Sequence, residues 1–204
     1  MSQTPARRGR PVTVDRVEVA ATALRLFTEH GFGNVTMDDV ASACGVARRT
    51  LFRLFPSKAA MVWGGSGEAR DTIADALAAA GHVDLPEAFD VVRSAFVASS
   101  TFPAPALEVT RQRLRLIAAD DELLAWGTAR IGTSTALVEA FLTRAQGTAR
   151  PSLHVRSFAA ACSAANFAAL VWWAQEAPDD DPAGVVDDAL SALVDGARTW
   201  AVPG

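Results

Sequence analysis

Apolar residues recur three and four positions apart along almost the whole chain, in segments rich in Ala, Leu, Arg and Glu. No stretch alternates apolar with polar residues over the length of a strand. A strand buries one face with period two and a helix with period 3.6, so this spacing restricts the chain to an all-α fold. With 204 residues, half of them apolar, the helices can enclose one sizeable core or a small domain joined to a larger one. No run of about 18 uncharged apolar residues breaks the pattern, and no apolar signal segment opens the chain, so a soluble, cytoplasmic protein with no membrane partner is expected. Cys44 and Cys162 lie far apart in apolar surroundings without metal-ligand spacing, and are expected to be small buried hydrophobes.

Charge is unevenly distributed. Residues 1–58 hold nine Lys/Arg against five Asp/Glu, a net of +4, and the remainder holds ten against eighteen, a net of −8. A basic end that meets phosphates and an acidic remainder that resists non-specific binding suit one another. Residues 1–12, with QTPARRGRP at 3–11, read as a flexible basic arm whose Arg7, Arg8 and Arg10 could enter a minor groove. Thr13 is the expected N-cap of a first helix that buries Val17, Ala20, Ala21, Leu24 and Phe27 and ends at Gly31. Thr36 is expected to cap a short second helix, with Asp39 at N3 reaching back and Val40 and Ala41 facing the core.

Gly45 breaks that helix, and VARRTLFRLFPSK follows at 46–58. On a helical wheel Ala47, Leu51 and Leu54 share an arc with Phe55 at its edge, while Arg48, Arg49, Phe52 and Arg53 lie opposite. A helix, a glycine-containing turn and a second helix bearing a guanidinium strip make a helix-turn-helix pattern, whose second member enters the major groove of duplex DNA.

The stretch LFTEHGFGNVTMDDVASACGVARRTLFRLFPSKAAMV, residues 26–62, resembles the DNA-binding domain of the tetracycline-repressor (TetR) family of transcriptional regulators. The likeness rests on Phe27, Gly31 and Phe32 at the end of the first helix, Thr36 at the cap of the second, and Gly45, Val46, Ala47, Phe52, Phe55, Ser57 and Lys58 in and after the third. RRTLFRLFPSKAAMVWGG and a later RQRLRLI resemble, more narrowly, regulators associated with mycofactocin gene clusters. The resemblance implies three parts: the arm at 1–12, a three-helix DNA-binding domain at 13–58, and a helical ligand-binding and dimerisation domain at 59–204. It also implies a homodimer on a near-palindromic operator, with recognition helices about 34–36 Å apart, and repression as the default.

Within the expected recognition helix, Arg48 and Arg49 occupy the first turn, where a guanidinium can pair with guanine O6 and N7. Thr50, Phe52 and Arg53 are the other groove-side candidates. Thr36 and Lys58, each at a helix N-terminus, are expected to meet phosphates. Phe52 and Leu54 stand where the family commonly carries tyrosine or histidine, and the chain has no tyrosine, which places two phosphate contacts of the family in doubt.

Beyond Lys58, Gly64, Gly65 and Gly67 are expected to bend a helix. The family likeness implies a ligand cavity among the middle helices, for which Phe89, Phe96, Leu114, Trp126 and Phe141 are the apolar candidates. Arg111 and Arg115, four apart on one face with Arg113 off to the side, suit the phosphates of a coenzyme A thioester, so a long-chain acyl-CoA is the expected effector. No cofactor is expected. Small residues in FAAACSAANFAALVWWA let helices approach closely, and an apolar stripe follows near the C-terminus. The resemblance implies that these two segments of each protomer build a dimer seam, with Phe158, Phe167, Leu170, Trp173, Leu190 and Leu193 at the interface; a purely intrachain core is the alternative. An enzyme, or a helical small-molecule binder without a DNA role, is the alternative. The three histidines, His30, His82 and His154, fall in no HExxH, and neither a GxSxG motif nor a phosphate-cradling glycine loop occurs.

Overall fold

The computed structural model describes residues 15–201, with side chains to residue 199. The arm and Thr13 fall outside the described residues. Among the described residues all regular structure is helical, ten α-helices and one 3-10 turn, and the chain divides after Lys58 into two compact units.

The first unit holds α1 (Arg16–His30), the 3-10 turn (Phe32–Asn34), α2 (Met37–Ala43) and α3 (Arg48–Leu54). Asp15, not Thr13, caps α1, its carboxylate accepting the Val17 amide at 2.7 Å. The later start shifts the buried stripe to Val19, Ala20, Ala23, Leu24 and Phe27, and leaves Val17 73 % exposed and Ala21 exposed. Gly31 ends the helix with φ 86° and ψ 139°, which a side chain would resist. Beyond it Phe32 folds back edge-on against Phe27, ring centroids 5.2 Å apart.

Thr36 and Asp39 form the reciprocal box at the start of α2: the Thr36 hydroxyl accepts the Asp39 amide at 3.1 Å, and the Thr36 amide donates to the Asp39 carboxylate at 2.8 Å. Gly45, at φ 63°, turns the chain from α2 into α3. Val40 and Ala41 are buried as expected, and so are Leu51 and Phe55. Ala47 is exposed instead, because it is the extended N-cap of α3 rather than its first helical residue.

After α4 (Lys58–Val62) the glycines break the helix outright: Gly64 and Gly65 lie in the turn, and Gly67 falls inside α5 (Ser66–Ala79). The second unit continues with α6 (Leu85–Ser99), α7 (Ala104–Ala118), α8 (Asp121–Ala145), α9 (Leu153–Glu176) and α10 (Pro182–Ala201). Its core lies where α6, α9 and α10 meet, around Phe89, Phe96, Phe158, Cys162, Val186 and Leu190. Burial pushes the Cys162 thiol up to about 12, so it stays protonated, and Cys44 is half-buried rather than buried. Paired ion contacts lock α6 to α10: Arg93 grips both oxygens of Asp187 at 2.6 Å, and Arg198 grips Asp90 at 2.6 and 2.7 Å.

The helix α9 is long and apolar enough to cross a bilayer by length and composition, and its residues 157–174 carry no charge. Two of its polar side chains are bonded inside the unit: Thr135 donates to Ser163 at 2.8 Å and Ser100 to Asn166 at 3.2 Å. Three faces explain its all-round apolarity. Val155, Phe158, Ala159, Cys162 and Trp173 enter the core; Ser163, Asn166, Phe167 and Leu170 face a cavity; Ala165, Ala168 and Trp172 look outward.

Candidate functional site

On α3 the apolar arc buries Leu51 completely, which fixes the rotation of the helix and leaves the other side to solvent. Arg48, Arg49 and Arg53 are all exposed, and Phe52 shows 40 % of its surface. They differ in their engagement. Arg48 is paired with Asp38 of α2 at 2.9 Å and lies 5.4 Å from the centroid of the Phe52 ring. Arg49 and Arg53 have no hydrogen-bond or ion-pair partner among the described residues, so their donors are open to an external acceptor. Thr50 is half-buried beside them.

Thr36 is exposed at the N-terminus of α2, although its hydroxyl also donates to Asp39 at 2.7 Å. The hydroxyl and amide of Thr36 hold the Asp39 carboxyl below its usual value. Lys58 is tied down within the first unit: its ammonium donates to the Phe32 carbonyl at 2.6 Å and stands 4.4 Å from the Phe32 ring centroid. Two of its three N–H groups remain for a phosphate.

The second unit holds a cavity of about 170 Å³ that is partly open to solvent. Phe96 and Leu114, expected on its wall, are there. Phe89 and Phe141 are not; both are buried in the core, where Phe89 packs on Phe158 at 4.8 Å between centroids. Trp126 lies behind the wall, 6.4 Å from the Trp63 ring. Arg111 and Arg115 face away from the cavity and fasten α7 to the end of α9, donating to the carbonyls of Pro178 and Ala174, each at 2.6 Å.

Arg113 reaches the cavity instead, and the spacing held the signal. Thr110, Arg113, Leu114 and Ile117 stand at i, i+3, i+4 and i+7 and together form the cavity face of α7. A charge set on an apolar stripe marks the inward arginine better than the pair at 111 and 115. Trp63 was also missed. Its indole donates to the Leu123 carbonyl at 3.0 Å, stacks on Phe167 at 6.0 Å, and seats against Gly127, where a Cβ would come within 2.0 Å of the ring.

Three of the six residues expected at a dimer seam are buried within the chain, and the other three are partly exposed. Phe158, Trp173 and Leu190 are at most 2 % exposed and pack within the chain. Phe167 and Leu170 line the cavity, and Leu193 packs half-buried against the core. The outward groove between α9 and α10 is formed by Ala165, Ala168, Ala169, Trp172, Val185 and Ala189, with Trp172 half exposed.

Comparison with known proteins agrees with this arrangement. The family model for bacterial regulatory proteins of the tetR family matches residues 19–62, and the model for the MftR C-terminal domain matches residues 86–198. The chain belongs to the TetR family. It is a helix-turn-helix transcriptional regulator with a C-terminal domain of the MftR type. A Mycobacterium tuberculosis protein named as a mycofactocin biosynthesis transcriptional regulator, MftR, is 32 % identical over 143 residues, which is 70 % of this chain and 71 % of that one. Among solved structures, the TetR-family repressor FadR of Thermus thermophilus, in complex with lauroyl-CoA, is 23 % identical and aligns over 89 % of this chain and 94 % of its own with a TM-score of 0.56. NalD, the secondary repressor of the MexAB-OprM efflux pump in Pseudomonas aeruginosa, is 16 % identical with the same coverage and a TM-score of 0.62. At these identities both speak for the fold alone.

Proposed function

We propose that this TetR-family regulator represses transcription as a homodimer on a near-palindromic operator, with residues 13–58 binding DNA and residues 59–204 binding an effector and the second protomer. The observation that carries the DNA reading is the state of α3, where Arg49 and Arg53 are exposed without a partner among the described residues. A buried Leu51 beneath them holds both in place. Arg49, with Thr50, Phe52 and Arg53, reads base edges; a bidentate arginine on guanine is worth about 1–3 kcal/mol of discrimination. Arg48 joins them by exchanging Asp38 for a DNA acceptor. Thr36 and Lys58 hold phosphates and set the register.

The cavity is the effector site. A long-chain acyl-CoA remains the leading candidate, supported by an apolar wall carrying arginine, although Arg113 takes the part first given to Arg111 and Arg115. A cavity of about 150 Å³ takes one benzene, so the 170 Å³ here accepts a group of about six carbons as it stands. A longer tail binds only with the helices moved apart, and a ligand that favours the widened state shifts the population toward it. Such a shift is what release from DNA requires. The groove of Ala165, Ala168, Trp172 and Ala189 suits close approach of a second α9–α10 pair.

A gel shift on the DNA upstream of the chain's own and neighbouring genes tests the reading. Retardation that Arg49→Ala and Arg53→Ala together abolish, and that an acyl-CoA reverses in the unaltered protein, is expected. A protein that retards none of these fragments at low salt is not this kind of regulator.

A further inference from the structure

The cavity wall is apolar through Trp63, Phe96, Phe102, Leu114, Ile117 and Leu170, yet it also carries three arginines, Arg70, Arg113 and Arg130, and no Asp or Glu. Two of the three are engaged. Arg70 pairs with Asp71, and Arg130 donates to Ser66 at 2.6 Å while lying 4.8 Å from the Trp126 ring centroid. Arg113 is not. It donates to no described residue, and its Nε is buried without a partner. Its terminal nitrogens sit beside the turn after α4, where a Cβ built on Gly65 would lie 3.4 Å from one and a Cβ on Gly64 3.7 Å from the other. Nothing at that turn supplies a carboxylate.

A buried guanidinium nitrogen without an acceptor is costly, and such groups are otherwise nearly always bonded. Burial draws the Arg113 pKa below its usual value, and the charge of Glu68 opposes that shift without a hydrogen bond to the guanidinium. Arginine does not lose its proton in a protein, so the cation stays and its acceptor must come from elsewhere. An oxyanion in the cavity can serve, because the terminal N–H groups of Arg113, which lines it, are charge-assisted donors that carboxylates and phosphates fit.

We infer that Arg113 is the anion-binding residue of the cavity, and that the effector is an amphiphile whose carboxylate or phosphate oxygens bond this guanidinium while its apolar body fills the space against Trp63, Phe96 and Leu114. This rests on the cavity being the effector site, and it narrows the effector class. Neutral hydrophobes of the same size are poor ligands, since they leave the guanidinium without an acceptor. The anion can be the free carboxylate of an acid or a phosphate of a coenzyme A thioester. In the second case only the acyl end enters the space, because the cavity has room for about six carbons.

The test is binding to the whole chain by isothermal titration calorimetry, with tryptophan fluorescence as a second readout, of hexanoate, hexanoyl-CoA and 1-hexanol. One or both anionic probes are expected to bind the unaltered protein more tightly than 1-hexanol. Arg113→Gln should weaken the anionic probe by roughly 10- to 100-fold, as loss of a charge-assisted hydrogen bond implies, and leave 1-hexanol unchanged; Arg113→Lys should recover part of the loss. Hexanoate sensitive to the substitution identifies a carboxylate, and sensitivity confined to hexanoyl-CoA identifies the thioester's phosphates. If 1-hexanol matches both anions in the unaltered protein, or Arg113→Gln binds the anions undiminished, the assignment of Arg113 is overturned while the cavity stands as an apolar effector site. If none of the three probes binds, the cavity itself is not the effector site. The comparison of probes in the unaltered protein decides the matter even if the variants fail to fold.

Discussion

On α3 the guanidinium groups of Arg49 and Arg53 are open to solvent, whereas in the second unit Arg93, Arg111, Arg115 and Arg198 each reach across to another segment of the same chain. The residue type is the same and the surroundings are opposite. In the first unit three short helices need only one face each to close a small core, so a whole side of α3 is left over for an outside partner. The second unit is built of longer helices around a shared centre, and α9 carries apolar residues on every face. Charge there serves mostly to fasten helices together. Arg113 departs from that rule: it lines the cavity and donates to no described residue.

The largest expected effect tests the assignment of Trp173 to the interior. Trp173→Ala should cost about 3–5 kcal/mol of stability in chemical denaturation, by the same amount at every protein concentration. A variant that keeps its stability but falls apart into protomers on dilution would return Trp173 to the seam between chains and reverse the faces of α9. Next come the open arginines. Arg49→Ala and Arg53→Ala should each weaken operator binding by about 1–3 kcal/mol without altering thermal stability, measured by fluorescence anisotropy at fixed salt. Arg48→Ala should lose less than either, because Arg48 gives up Asp38 in order to bind. Equal losses at all three would erase the distinction between paired and unpaired arginines on α3.

Smaller effects sharpen the same contrast. Thr36→Ala removes the hydroxyl cap of α2 and should lower stability by about 1 kcal/mol, visible as a shift of the denaturation midpoint. The weakest effect belongs to the pair that joins α6 to α10. The Asp187 carboxyl is held below its usual value first by the hydrogen bond from Arg93 and then by its charge, with burial opposing. A depressed carboxylate stabilises the fold above its unfolded pKa of about 4 and loses that contribution as pH falls through its lower folded value. Asp187→Asn should therefore destabilise by no more than about 0.3–1 kcal/mol at pH 7, since the pair is partly exposed and screened. The difference from the unaltered protein should shrink as pH falls below the unfolded pKa of about 4. A gap that widened on acidification would contradict the sign.

Much of this was legible in the residues because local rules act locally. Thr36 and Asp39 stand three apart at the start of an apolar run, and a capping box needs nothing else. Gly31 and Gly45 mark backbone turns with positive φ, which depend little on the rest of the fold. Arg48, Arg49 and Arg53 follow from a wheel with one buried arc. The second unit resisted the same treatment for a physical reason. Where a helix is apolar all round, periodicity says that residues are buried without saying against what, and core, cavity wall and protomer seam share a composition. Thus Phe158 and Trp173 were expected at a seam and lie in the core, while Phe167 and Leu170 line the cavity. Arg111 and Arg115 were misread because the carbonyls of Ala174 and Pro178, which they bond, come close only in the folded chain.

The seating of Trp63 on Gly127 has a consequence for heredity. With a ring lying where any Cβ at 127 would have to stand, neither codon can drift alone: a larger residue at 127 evicts the indole, and a smaller one at 63 leaves a hole. Descendants of this sequence must therefore keep both or exchange both, and a lineage that has traded the pair will have reshaped the chamber that Trp63 walls.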